Sequence, residues 1–153
     1  MVEKTRPKVG IGVYIVNNKN QVLMLFEYRA DSGGTWAPPG GHLEFDEAFI
    51  DCVKREVREE TGLKINDAEL WAVNNNISQP QGQLSHYVNL DFLVKSFKGI
   101  PKIMEPHKCE KVGWFNLNDL PQPMLLAPKN FFKNNPPCLC RSGKKFNDCH
   151  GKI

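Results

Sequence analysis

Residues 41–63 read GHLEFDEAFIDCVKREVREETGL. The stretch is a loop that opens into an acidic helix. Pro38-Pro39 and Gly40-Gly41 forbid a helix before it. Asp46 is the expected N-cap, and Glu47 in the first turn would suit the positive end of the helix dipole. Gly62 is the expected stop. Phe49, Val53 and Val57 recur every four residues and predict a core-facing stripe, flanked by Ala48 and Cys52. Glu56, Glu59 and Glu60 fall together on another face, at spacings of three and four. Like charges so arranged repel unless something positive sits among them. Clustered hard oxygens suit Mg²⁺ or Mn²⁺.

The same stretch matches the signature G-x5-E-x7-R-E-U-x-E-E-x-G-U, where U is a bulky aliphatic residue. The matching positions are Gly41, Glu47, Arg55, Glu56, Val57, Glu59, Glu60, Gly62 and Leu63. On them the chain resembles the Nudix hydrolase family. The resemblance implies an α/β/α sandwich over roughly residues 5–132 and hydrolysis of a diphosphate bond. It implies Glu56, Glu59 and Glu60 as carboxylate ligands of Mg²⁺ (or Mn²⁺), with the Gly40 carbonyl as a further ligand. Glu56 or Glu59 would orient or deprotonate the attacking water. Arg55 and Glu47 would hold these carboxylates in place. The chemistry is coherent, because divalent ions neutralise phosphate charge, orient the phosphates and acidify a water.

The segment PPGGHLEFDEA and, beyond that stretch, Ser85-His86-Tyr87-Val88 and Glu105-Pro106-His107-Lys108-Cys109-Glu110 resemble the mutator-type nucleoside triphosphate pyrophosphatases. That branch includes thiopurine-nucleotide diphosphatase and plant Nudix hydrolase 1. Trp114 and Leu120-Pro121 fall in step with it. The resemblance implies a nucleoside triphosphate substrate, including an oxidised one such as 8-oxo-dGTP, with monophosphate and pyrophosphate as products. It also implies a homodimer. Gly41, His86, Leu125 and Leu126 are the expected substrate contacts. Asp46 departs from the branch's usual glycine, and Leu125-Leu126 stand where relatives often carry an aromatic residue. Two other readings stay open: hydrolysis of another diphosphate, such as an ADP-sugar or prenyl diphosphate, or a ligand-binding adaptor whose tail recruits a partner.

Strands are expected at 9–16, 21–26, 68–75, 86–97 and 109–115, the first two as a hairpin about Asn17–Asn20. Residues 30–34 and 74–83 read as loops, and Pro123–Phe132 as a last helix. Trp36 reads as a core anchor. Glu110 is considered as a further metal ligand.

The final residues change character. Asn134–Pro137 reads as a linker, and residues 138–153 as a separate metal-binding tail. Cys138-x-Cys140-x8-Cys149-His150 offers four ligands, a number that suits tetrahedral zinc. The segment PCLCRSGKKFNDCHG resembles the zinc-binding SEC-C motif, which implies a structural Zn²⁺ there. The tail's basic residues leave room for a protein partner.

The 153 residues suffice for one domain with a core plus this appendage. A net charge of +3 is too small to argue for nucleic-acid binding. No apolar run approaches the ~20 residues of a membrane span. The charged N-terminus, MVEKTRPK, has no apolar run of the signal-peptide kind behind it, so a cytoplasmic location is expected. Five cysteines, three of them in the last sixteen residues, favour metal binding over disulfides in a reducing compartment.

Overall fold

The computed structural model of the protein describes residues 5–29 and 33–152. The expected loop at Ala30–Ser32, and Met1–Lys4 of the N-terminus, lie outside the described residues. In chain order the strands are β1 Lys8–Ile15, β2 Gln21–Arg29, β3 Gly33–Ala37 and β4 Gly40–His42. Helix α1, Phe49–Thr61, follows. Then come β5 Lys64–Ile65, β6 Glu69–Ser78, β7 Ser85–Val94, β8 Phe97–Lys98, β9 Cys109–Asn116 and helix α2, Leu126–Lys133.

The strands form a four-stranded mixed sheet, β4-β1-β7-β6, a three-stranded antiparallel sheet, β3-β2-β9, and a short β5-β8 pair. β1 and β7 run parallel over eight residues. Both faces of β1 are covered, as its unbroken apolar run demands. Ile11, Val13 and Ile15 pack with Cys52, Val53 and Val57 of α1. Tyr14 and Val16 pack with Phe131 and Phe132 of α2. The layering is the expected α/β/α sandwich.

Four local expectations are corrected. β1 and β2 do not make a hairpin in one sheet. Both edges of β1 are taken by β4 and β7, so β2 meets it only at the Val16–Val22 bridge and enters the other sheet. Gly33-Gly34 is not loop but the start of β3, paired with Tyr28 and Arg29. Asn74–Ser78 continues β6. Asparagine is disfavoured in strands, but here Asn74 and Asn76 are buried with their amides bonded, to Asp91 at 2.7 Å and to Asn89 at 2.8 Å. At the entry to α1 the cap is Ala48, not Asp46. Asp46 has φ of 61°, a left-handed conformation that aspartate tolerates. Glu47 therefore precedes the helix, and Phe49 is half exposed rather than part of the buried stripe. Gly62 does end the helix, with φ of 74° and its N–H donating to Arg58 O. Pro128 falls in the first turn of α2, where its missing N–H is not needed.

The chain after Asn134 folds back on the domain. Leu139 and Phe146 join the core cluster of Phe131 and Phe132, and the Phe146 ring lies 4.9 Å from that of Phe132. Trp71 Nε1 donates to Pro137 O at 2.6 Å, and Arg141 pairs with Glu69.

Candidate functional site

α1 carries Arg55, Glu56, Glu59 and Glu60, and the turn before it carries Glu47. Arg55 joins them. Its Nε donates to Glu47 Oε1 at 2.7 Å and its Nη1 to Glu56 Oε1 at 2.8 Å and Glu59 Oε2 at 3.4 Å. Its Nη2 reaches His42 O at 3.2 Å. The hydrogen bonds from Arg55, with the Glu44 N–H, hold the Glu47 carboxyl down to about 2. The same carboxylates raise Arg55 above the ordinary arginine value.

Glu56 and Glu60 are buried, whereas Glu59 is half exposed. Burial raises Glu56, against the pull of Arg55. Glu60 is pushed up to about 8, first by burial and then by the charge of Glu27. Gly40 N–H approaches Glu60 Oε2 at 3.4 Å. A Cβ on Gly41 would sit 2.2 Å from Glu56 Oε1, so a glycine there is the condition for Glu56 to lie against the β4 backbone.

Gly40, Gly41 and Glu60 form one end of a cleft of about 790 Å³. Its floor is β1 and β7 and its far wall is Met124–Lys129. Leu125 and Leu126 line it. His86 does not. Side chains alternate along β7, so Ser85, Tyr87, Asn89 and Asp91 face the cleft. His86 bonds Asn75 Oδ1 at 2.6 Å instead. Trp36 sits in the core between Phe26 and Phe115. Glu110 is exposed and outside the cleft.

Sequence reasoning missed Glu27 and Asp91. Glu27 reaches the cleft from β2, near Glu60. Asp91 is 2% exposed, and burial raises it to about 7. The signal for Asp91 was an acidic residue inside an apolar strand, LDFLV. For Glu27 there was none, because its place depends on how the two sheets meet.

At the other end of the molecule Cys138, Cys140, Cys149 and His150 present ligand atoms within 4.8 Å of one another. Cys138 Sγ and Cys149 Sγ lie 3.3 and 3.4 Å from His150 Nδ1, and Cys140 Sγ lies 3.6 Å from Cys149 Sγ. Zn–S and Zn–N bonds of about 2.3 and 2.0 Å put tetrahedral ligands roughly 3.5–3.8 Å apart, so the donor set fits zinc.

Comparisons with known proteins place the chain by its fold and sequence. The chain is 36% identical to the crystal structure of a MutT NUDIX hydrolase from Burkholderia pseudomallei, with a TM-score of 0.76, covering 82% of this chain and 95% of that one. It is 31% identical over 115 residues to the uncharacterized Nudix hydrolase YvcI of Bacillus subtilis, covering 74% of this chain and 69% of that one. It is 28% identical over 118 residues to the 8-oxo-dGDP phosphatase NUDT18 of Mus musculus, covering 76% of this chain but 34% of that protein. The chain thus spans about a third of that relative's length. Among the described residues no helix is long and apolar enough to cross a membrane. The NUDIX domain description matches residues 6–135, and with the α/β/α layering and the α1 carboxylates in place the chain belongs to the NUDIX hydrolase family.

Proposed function

We propose that the chain hydrolyses the diphosphate bond of a nucleoside triphosphate, releasing the monophosphate and pyrophosphate. The observation that carries this is the burial of Glu56 and Glu60 against the Gly40-Gly41 backbone, with Glu60 lining a cleft of about 790 Å³. The Gly40 carbonyl, Glu56, Glu59 and Glu60 would hold Mg²⁺ or Mn²⁺, which supplies charge neutralisation on the phosphates. Arg55 keeps Glu56 fixed and Glu47 keeps Arg55 fixed, so the carboxylates need no reorganisation when substrate arrives. Glu56 or Glu59 accepts the proton of the attacking water. Glu59 is the freer of the two, half exposed and held by Arg55 at 3.4 Å.

The NUDT18 relative is named for a nucleoside diphosphate, so 8-oxo-dGDP belongs in the substrate panel beside dGTP and 8-oxo-dGTP. The lining sets polar Asn89 and Asp91 beside apolar Met124, Leu125 and Leu126, so a prenyl diphosphate belongs in the panel too. A pure adaptor would have no use for three clustered carboxylates. Turnover of the panel with Mg²⁺ tests the reading, and full activity in excess EDTA would end it. Cys138, Cys140, Cys149 and His150 are proposed to bind one structural Zn²⁺. The family resemblance further implies a homodimer, which sedimentation velocity would read.

A pH dependence follows from Glu60. Its folded-state value lies near 8, against an ordinary 4.5. The Glu60 contribution to the stability of metal-free protein is therefore fully present below about 4.5 and is lost as pH rises through about 8. A divalent ion must displace the Glu60 proton below pH 8. Mg²⁺ affinity should therefore climb by up to about tenfold per pH unit from 6 to 8, then flatten, with activity rising into the alkaline range. Calorimetric titration at several pH values reads it, and a flat affinity would remove Glu60 from the metal site.

A further inference from the structure

We propose that Asp91 and Asn89 read the edge of a nucleobase, with Asp91 Oδ1 as acceptor and Asn89 as donor. The proposal rests on the nucleotide reading above and adds the residues that select the base.

Gly10 pairs with Asn89 and Gly12 with Asp91 across the parallel β1–β7 register. All four line the cleft. A Cβ on Gly12 would lie 2.6 Å from Asp91 Oδ1, and one on Gly10 would lie 2.9 Å from Asn89 Nδ2. The two polar side chains therefore lean over bare β1 backbone, into space that side chains at 10 and 12 would fill.

Their outer atoms are already committed. Asn134 Nδ2 donates to Asn74 Oδ1 at 2.7 Å, and Asn74 Nδ2 donates to Asp91 Oδ2 at 2.7 Å. Once ionised, above about pH 7, Asp91 can only accept and so sets the direction of this relay. In parallel, Asn130 Nδ2 donates to Asn76 Oδ1 at 2.7 Å, and Asn76 Nδ2 donates to Asn89 Oδ1 at 2.8 Å. What remains for the cleft is one carboxylate oxygen and one amide N–H₂. Among the described residues neither has a hydrogen-bond partner. On the facing wall, Thr35 Oγ1 is buried and also without one.

A carboxyl 2% exposed and without a cation beside it is costly unless used. A purine edge that carries an N–H donor next to an acceptor matches the pair. Guanine offers this as a ring N–H beside C=O, and adenine as an amino group beside a ring nitrogen. Unsubstituted purine offers no donor.

The test compares full-length wild type with Asp91→Asn and Asn89→Leu. In Asp91→Asn the single amide oxygen is claimed by Asn74, so the cleft meets N–H₂ instead of an acceptor. KM and kcat are measured with Mg²⁺ at about pH 8.5, where the Asp91 carboxyl is ionised, for the triphosphates of deoxyguanosine, deoxyadenosine and unsubstituted purine deoxyriboside. Binding of the corresponding monophosphates without metal is measured by calorimetry. Losing a hydrogen bond to a charged group should raise KM and Kd for the guanine or adenine nucleotide about ten- to a hundredfold. The unsubstituted purine should change less than threefold, and kcat should stay within a few-fold. Asn89→Leu removes the donor instead and should raise KM and Kd for all three purines alike, because each carries an acceptor. Equal changes for all three bases in Asp91→Asn, or no change in either variant, would overturn the proposal and leave Asp91 a fold-stabilising residue. If wild type hydrolyses none of the triphosphates, the nucleotide reading fails on its own, and the monophosphate affinities still decide the role of Asp91.

Discussion

Glu60→Gln is expected to lower kcat about a hundred- to a thousandfold while leaving the fold intact. The size follows from removing one charged group from an electrostatically prepared site. The second half follows from the position of Glu60. It is buried, and in metal-free protein its carboxyl holds a proton until about pH 8. At pH 7 a glutamine is close in shape and charge to what stands there. Melting in EDTA should therefore differ from wild type by only a few degrees, while Mg²⁺ no longer raises the melting temperature. Glu56→Gln should lose a similar amount of activity. It costs more stability, because the Arg55 hydrogen bond at 2.8 Å loses its negative charge. A Glu60→Gln protein with near-wild-type kcat on the best substrate of the panel would sink the proposed roles of the α1 carboxylates.

Deleting residues 134–153 is expected to destabilise the whole domain, not merely to remove an appendage. Leu139 is fully buried and Phe146 nearly so, in the cluster that holds Phe131, Phe132 and Tyr14. Removing side chains of this kind costs about 2–5 kcal/mol each. The total for a domain is about 5–15 kcal/mol. Asn134 also leaves with the tail, and with it the donor that orients Asn74. The melting temperature should fall by about 10–20 °C. Stripping zinc with a chelator should act in the same direction, because ligands that bind only the folded state stabilise it. Metal analysis and melting curves of the full-length and truncated proteins read both. A truncated protein melting within two or three degrees of full length would contradict the packing argument. Full-length protein purified without chelator and free of zinc would remove the metal from it.

That outcome differs from what the linker-like Asn134–Pro137 suggests when read alone. Its composition marks a break in regular structure, and α2 does end at Lys133. Composition does not say where the chain goes next. Leu139 and Phe146 look like two isolated apolar residues in a polar tail. Only in three dimensions do they meet Phe132.

The same division runs through the molecule. By itself the sequence determined α1 with its Gly62 stop, the apolar strands on both sides of it, the carboxylate triplet with Arg55, and the four soft ligands of the tail. These are legible because they depend on spacing along one element, or on ligands held within a few turns of chain. Tertiary structure alone decided the rest. It split β1 and β2 between two sheets, because both edges of β1 were already occupied. It turned His86 away from the cleft and Asp91 into it, because facing along β7 depends on which side of the sheet carries the ligand. It made Asn74 and Asn76 strand residues, because amides that are poor strand formers became partners for Asp91 and Asn89 once β6 and β7 lay side by side. Contacts between residues far apart in the chain have no spacing to read, and the β1–β7 floor of the cleft is built almost wholly from them.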